Sequence, residues 1–489
     1  MHAPSELYRP SLALLTDLYQ LTMAYGYWKS GMQRREAVFH LFFRHHPFRG
    51  GFTIACGLEY VVDWLTRFCF ADDDLAYLAT LRGDDGAVLF EPAFFDYLRG
   101  VRFSGDLDAA PEGTVVFPNE PLLRVTGSLI EGQLFETALL NIVNFQTLIA
   151  TKAARVCMAA RGDPVIEFGL RRAQGIDGAL AASRAAHVGG CAATSSVLAG
   201  RMFGIPVKGT HAHSWVMSFD DELSSFEAYA KAMPNNCVFL VDTYDTLGGV
   251  RHAIQVGQWL RSRGHELAGI RLDSGDLAYL STTARKLLDD AGFHRSVIVA
   301  SNDLDEHLIA SLKEQGAAIG VWGVGTKLVT AYDQPALGGV YKLSALRSPG
   351  EAWSYRLKLS EQSIKISTPG ILQVRRFSAG GECLGDMIYD EQLGAGVEAT
   401  LVDPRDANRR KNIPSATPYD DLLVPIVRQG RLVRDQPPLA AIRDRAGAEL
   451  ARFSAGVRRF VNPHEYPVGL EPRLFELKNR LVREARGLE

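Results

Sequence analysis

The chain has 489 residues, 47% hydrophobic and 22% charged, with a formal net charge of −3: it is too long for one hydrophobic core and ordinary in composition, so a globular protein of more than one structural unit is expected. Near-balanced charge excludes a global field that would draw in nucleic acid or an anionic membrane, so an acidic substrate must be met by local positive groups. There is no leader with a basic start and apolar middle and no apolar run near ~18 residues, and the six cysteines are scattered without a C-x-x-C pair, so reduced thiols and a cytoplasmic location are expected.

In chain order the first predicted element is an amphipathic helix. Leu18, Leu21, Thr22, Tyr25 and Trp28 fall at the spacing of one buried face, with Thr16 or Asp17 as cap and Gly31 as terminator. Tyr19 lies off that stripe and must face something else. From 35 to 150, strand-like runs such as "AVFHLFF" and "GTVVF" alternate with helical text, and Gly50–Gly51 marks a turn; an α+β domain over residues 1–150 is expected.

After Asp163 the pattern changes. "PVIEFGLRRAQG", "IPVKGTHAHSW", "VFLVDTYDTLGG", "LAGIRLDSGDLA", "SVIVASNDLD" and "IGVWGVGTKL" are short apolar runs that end in polar or glycine residues, each followed by helical text. Apolar strands of that kind are buried on both faces, which means parallel strands with crossover helices. The expected fold is α/β, with an irregular TIM-like βα barrel over residues 151–345, whose chemistry sits at the C-terminal strand ends. Residues 346–489 return to α+β text, with a hairpin at Gln429–Gly430 and helices from Leu439 and from Pro472, and are expected to pack on the N-terminal domain. Arg409, Arg410 and Lys411 read as a solvated loop.

The polar strand ends carry the chemistry. "VKGTHAHSWV" sets His211 and His213 one residue apart, after what reads as a buried strand. Such a pair can ligate zinc, because alternate strand residues point to the same side; yet His187, His252, His265, His294 and His307 all sit in helical or loop text, and two structural histidines remain the other reading. "IRLDSGDLAYL" places Arg271, Asp273, Ser274, Gly275 and Asp276 together: a guanidinium for a carboxylate or phosphate, beside carboxylates suited to ribose hydroxyls or Mg²⁺. Gly323, Gly325 and Thr326 in "VWGVGTKLVT" let backbone N–H groups approach a phosphate, and Arg171 with Arg172 extends the positive lining toward a pyrophosphate-sized group.

Seven segments between residues 14 and 343, "LLTDLYQLTMAYGYW", "FGLRRAQGIDG", "GTHAHSWV", "VDTYDT", "IRLDSGDL", "GVGTKLVT" and "LGGVYKL", resemble in identity and order those of the nicotinate phosphoribosyltransferases, a family of type II phosphoribosyltransferases. The resemblance implies transfer of 5-phosphoribose from phosphoribosyl pyrophosphate to the ring nitrogen of nicotinate, with Mg²⁺ and with ATP hydrolysed through a phosphohistidine, in the salvage of NAD. It assigns that histidine to His213, the nicotinate carboxylate to Arg271, substrate placement to Thr210, pyridine stacking to Tyr19 from a neighbouring subunit of a homodimer, and the 5-phosphate to Gly325 and Thr326. Arg171 and Asp273 complete the expected substrate-binding set, and the metal ligands stay unassigned. The chain departs from the family in one place: a basic residue often follows the late T-x-P-G turn, whereas Thr368-Pro369-Gly370 is followed here by Ile371 and Leu372. Rival readings are a nicotinamide phosphoribosyltransferase and a barrel metal-dependent hydrolase using the H-x-H pair.

Overall fold

The apolar runs after Asp163 become short parallel strands, because both faces of each are covered. In the computed structural model, which describes residues 11–362, 365–397 and 399–488, these are β1 (Val165–Glu167), β2 (Ala193–Thr194), β3 (Val238–Leu240), β4 (Gly269–Leu272), β5 (Val297–Ala300) and β6 (Val321–Val324). They form one sheet in the order β2-β1-β6-β5-β4-β3, every pairing parallel. The order is cyclic in sequence, since the last strand, β6, returns to pair with the first. One seam interrupts it. After β2 the chain comes back only as a parallel bridge between Thr194 and Val207, and among the described residues no backbone pairing joins that segment to β3. The buried strand expected before His211 is therefore corrected to a single bridge. Pro206 has no N–H to lengthen the ladder, and Val207 is 45% exposed. Among the described residues the hydrogen-bonded ring is open.

The crossover helices are α1 (Gly175–Val188), α2 (Thr246–Arg261), α3 (Leu277–Asp290) and α4 (Glu306–Glu314). Three of them start on an aspartate that follows a strand. The Gly248 N–H donates to Asp245 at 2.6 Å, the Ala278 and Tyr279 N–H groups to Asp276 at 3.1 Å each, and the Leu308 N–H to Asp305 at 2.7 Å. Each cap stabilises its helix by about 1 kcal/mol. Asp276, which the sequence offers as a ligand carboxylate, is thus engaged in starting a helix.

Strands and helices from Ile149–Pro335 make one compact unit, and Met1–Leu148 with Ala336–Glu489 make the other. The latter holds a seven-stranded antiparallel sheet in which Glu36–Phe42 lies between Leu123–Ser128 and Val340–Arg347. It also holds a six-stranded sheet centred on Glu382–Asp390 and Val468–Leu470, whose core gathers Leu372, Val374, Ile388, Leu470 and Leu474. The first helix spans Leu18–Lys29, but its buried residues are Gln20, Leu21 and Ala24. Leu18 is 52% exposed and Thr22 is exposed. Gln20 displaces them because its side chain donates to Glu136 at 3.0 Å and accepts from Gln133. Tyr25 and Trp28 pack on Phe94, ring centroids 5.1 and 5.7 Å apart. The basic run is no loop either: Arg410–Ile413 pairs with Ala399–Val402, and Arg409 meets Glu465 at 2.9 Å. Among the described residues no helix is long and apolar enough to cross a membrane.

Candidate active site

Strand alternation aims Arg271 and Asp273 at the end of β4 to one side. The Arg271 guanidinium donates from Nη1 to the Thr210 hydroxyl at 2.5 Å, while its buried Nε finds no acceptor among the described residues. Burial lowers the pKa of Arg271; Asp273 and Asp242 act against that, and Arg171 pushes the same way as burial. Asp273 accepts through Oδ1 from the Ser301 hydroxyl, just past β5. Its Oδ2 lies 3.7 Å from Nε2 of His213. His213 opens the short helix His213–Met217, and its Nδ1 is 3.1 Å from the Thr243 hydroxyl just beyond β3. The neighbouring Asp242 accepts from the Asp273 N–H at 2.7 Å and from the Ser274 hydroxyl at 2.8 Å. Its other oxygen, Oδ1, is buried without a donor among the described residues.

Three strand ends and the segment after Val207 thus bring an imidazole, a guanidinium, two carboxylates and four hydroxyls to one place. Asp242, Thr243 and Ser301 are site residues that motif reading passes over. "VDTYDT" and "VASND" do set a carboxylate or hydroxyl directly after an apolar run, which was the available signal. The glycines in and just after β6 serve close packing: a Cβ on Gly323 would stand 2.6 Å from the Phe168 ring, and one on Gly325 3.1 Å from the Phe168 carbonyl oxygen. This contact sets the Gly325–Thr326 turn against the loop that carries Arg171, which is exposed in the turn Leu170–Arg172. Thr326 begins a helix of only four residues, so any dipole contribution there is confined to one turn. Tyr19 belongs to the other unit and is 50% exposed.

His211 does something different from His213. It is 7% exposed, packed against Tyr229 with centroids 5.0 Å apart, and its Nε2 accepts the Leu240 N–H of β3 at 3.3 Å. A ring nitrogen that accepts from a peptide N–H is not free for a metal, and the proton then resides on Nδ1. The imidazole spans the seam in the sheet. Burial lowers its pKa to about 4; the Ala212 carbonyl opposes this, and Arg271 and His213 add to it. As pH falls from the unfolded value near ~6.5, the unfolded chain takes up this proton first, so stability is lost between there and pH 4, by roughly 3 kcal/mol from this group. Urea unfolding of His211→Gln should show lower stability at neutral pH and a flatter decline toward pH 4 than the parent; parallel declines would refute the role.

Models of three segments that make up one family match nearly the whole chain: the nicotinate phosphoribosyltransferase N-terminal domain over residues 14–144, the nicotinate phosphoribosyltransferase family over residues 164–356, and the nicotinate phosphoribosyltransferase C-terminal domain over residues 373–478. The chain belongs to the nicotinate phosphoribosyltransferase family. As a family enzyme it is 45% identical over 487 residues to the nicotinate phosphoribosyltransferase of Bacillus subtilis, covering 97% of each chain. It is 37% identical over 527 residues to that of Homo sapiens, covering 96% of each. The crystal structure of human nicotinic acid phosphoribosyltransferase superposes with a TM-score of 0.83 at 34% identity, over 95% of this chain and 99% of that one. The nicotinate-nucleotide pyrophosphorylase structure from Pyrococcus furiosus shares the fold, with a TM-score of 0.69 at 21% identity over 90% of this chain and 96% of that one.

Proposed function

We propose that this enzyme transfers 5-phosphoribose from phosphoribosyl pyrophosphate to the ring nitrogen of nicotinate, releasing nicotinate mononucleotide and pyrophosphate in NAD salvage, with ATP hydrolysis coupled through His213. The observation that carries the reading is the convergence of Arg271, Asp273 and His213 in a chain of this family. Arg271 favours the acid over nicotinamide, because its fork matches a carboxylate and its Nε has no described acceptor. The H-x-H hydrolase finds no support, since Nε2 of His211 already holds a peptide N–H and no group of three or more metal-ligating side chains occurs among the described residues.

Departure of pyrophosphate leaves positive charge on the ribose C1, so the site must hold the nucleophilic ring nitrogen in line and stabilise negative oxygens opposite. Arg271 and Thr210 orient the nicotinate, and Tyr19 stacks on it from a second subunit in a homodimer. Arg171 meets the pyrophosphate, and Gly325 with Thr326 holds the 5-phosphate. Asp273 faces Nε2 of His213 and favours a proton there, which leaves the Nδ1 lone pair, held by the Thr243 hydroxyl, to accept a phosphoryl group. Asp242, with its unpartnered buried oxygen, and Asp273 fit Mg²⁺, a hard ion usually held by one or two carboxylates plus substrate phosphates. When bound, Mg²⁺ offsets the charge of the leaving group. The cyclic strand order supports an irregular βα barrel, interrupted at the seam that His211 bridges.

Incubation with phosphoribosyl pyrophosphate, ATP and Mg²⁺ should yield nicotinate mononucleotide from nicotinate and little product from nicotinamide. Preferred turnover of the amide would sink the assignment.

A further inference from the structure

The apolar run of β1, "PVIEFGL", is broken by one charged residue, Glu167. It closes the strand, pairs across the sheet with Thr194 of β2 and Val324 of β6, and is 1% exposed. A carboxylate in such a place is costly unless donors meet it. The Gly169 N–H donates to Oε1. The Ser183 hydroxyl of α1 donates to Oε2 at 2.8 Å, and the Thr194 hydroxyl donates to the same oxygen at 2.6 Å. The Thr194 hydroxyl itself accepts the Ser196 N–H at 3.0 Å, which leaves its proton for Glu167. Both oxygens therefore accept, and an amide of the same shape cannot match that, because only one of its two ends is an acceptor.

Each side of the carboxylate leads on toward the site. On the Oε1 side, the peptide that Glu167 holds starts the turn carrying Arg171: the Gly169 carbonyl accepts the Arg172 N–H at 2.8 Å and the Ala173 N–H at 3.1 Å. Gly169 packs so closely on Val329 that a Cβ would overlap that side chain, and Val329 ends the short helix that Thr326 opens. The turn therefore has one seat. On the Oε2 side, Thr194 makes the bridge at the seam, its N–H donating to the Pro206 carbonyl and its carbonyl accepting the Lys208 N–H, each at 3.0 Å. From that bridge the chain sets out toward Thr210 and His213.

We propose that Glu167 is a positioning residue for phosphoribosyl pyrophosphate: its carboxylate fixes the Gly169 peptide and, through the turn built on it, places Arg171 in the same frame from which the seam bridge hangs. Glu167 touches no substrate and acts through Arg171 alone. The inference rests on the assignment of Arg171 to the pyrophosphate group, and one arm of its test is run without substrates, so that either reading can fail by itself.

The KM values for phosphoribosyl pyrophosphate and for nicotinate are measured for the wild-type enzyme, Glu167→Gln, Arg171→Ala, the double variant and Ser183→Ala. Glu167→Gln is expected to raise the KM for phosphoribosyl pyrophosphate about tenfold, as loss of one charge-assisted hydrogen bond does, and that for nicotinate less than about twofold. In the Arg171→Ala background the same substitution should add less than about twofold, because residues that act through one another are not additive. Ser183→Ala removes one donor and leaves the Gly169 contact in place; it should show the same split more weakly, and it decides the matter if the glutamine variant does not fold. Hydrogen–deuterium exchange without substrates reads the turn directly: amides of residues 169–173 should exchange faster in Glu167→Gln and at the wild-type rate in Arg171→Ala. Equal rises in the two KM values, full additivity with Arg171→Ala, or unchanged exchange over residues 169–173 would each overturn the proposal. A wild-type enzyme that makes no product from phosphoribosyl pyrophosphate would overturn the proposed function instead, and the exchange result would still decide what Glu167 holds.

Discussion

Replacing His213 with alanine is expected to abolish the proposed coupled ATP hydrolysis, a loss of roughly 10²–10⁴-fold where a positioned imidazole is removed, while the fold survives. The side chain is 39% exposed and 3.7 Å from its carboxylate, and its hydrogen bond to Thr243 is a single one between side chains, so little packing is lost with it. Stability should change by no more than about 1 kcal/mol, the net worth of an ordinary hydrogen bond. Phosphoribosyl transfer itself should continue at a reduced rate, because Arg271 and the turn proposed to hold the 5-phosphate are untouched. The decisive measurement is acid-labile label from γ-labelled ATP: its persistence on the alanine variant would place the phosphoryl group elsewhere.

Arg271→Ala should raise the KM for nicotinate on the order of 10²-fold, the equivalent of two charge-assisted hydrogen bonds at ~1.5 kcal/mol each. The KM for phosphoribosyl pyrophosphate should move far less. Lysine should not rescue the variant, since a point charge on a flexible stem cannot reproduce the planar fork. Removing the guanidinium also frees the Thr210 hydroxyl, which it holds at 2.5 Å, so part of the loss is expected in substrate orientation and hence in kcat. If the two KM values rose together, Arg271 would be a phosphate ligand and the preference for the acid would need another source.

Much of the second unit was legible because five of its six strands are continuous apolar runs ending in polar residues, a pattern that needs no knowledge of distant partners. β2, two residues long, has too little text to carry any period. The segment before His211 reads as a strand from its apolar residues, but a proline and the partial exposure of Val207 leave it one bridge. The first helix shows the opposite limit. Gln20 is fully buried by polar partners more than a hundred residues away, and hydrophobic spacing cannot see a polar residue that satisfies itself inside. At the strand ends, aspartates are alike in sequence but sort in space: Asp245, Asp276 and Asp305 each cap a helix, whereas Asp242 and Asp273 turn toward His213 and Arg271. Only the backbone donors around each one decide which it becomes. His211 and His213 differ for the same reason, since one meets a peptide N–H and the other a hydroxyl and a carboxylate.

The seam has a mechanical consequence. Residues 208–212 are tethered to β3 by an imidazole rather than by paired peptides, so the backbone leading to residue 213 has slack that a laddered strand would lack. In the proposed cycle the His213 ring gains and sheds a phosphoryl group beside Asp273 at every turnover. A fully laddered wall would take up such a change as strain; a segment held to β3 and β4 through side chains, His211 on the Leu240 N–H and Thr210 on Arg271, gives the acceptor more room to move.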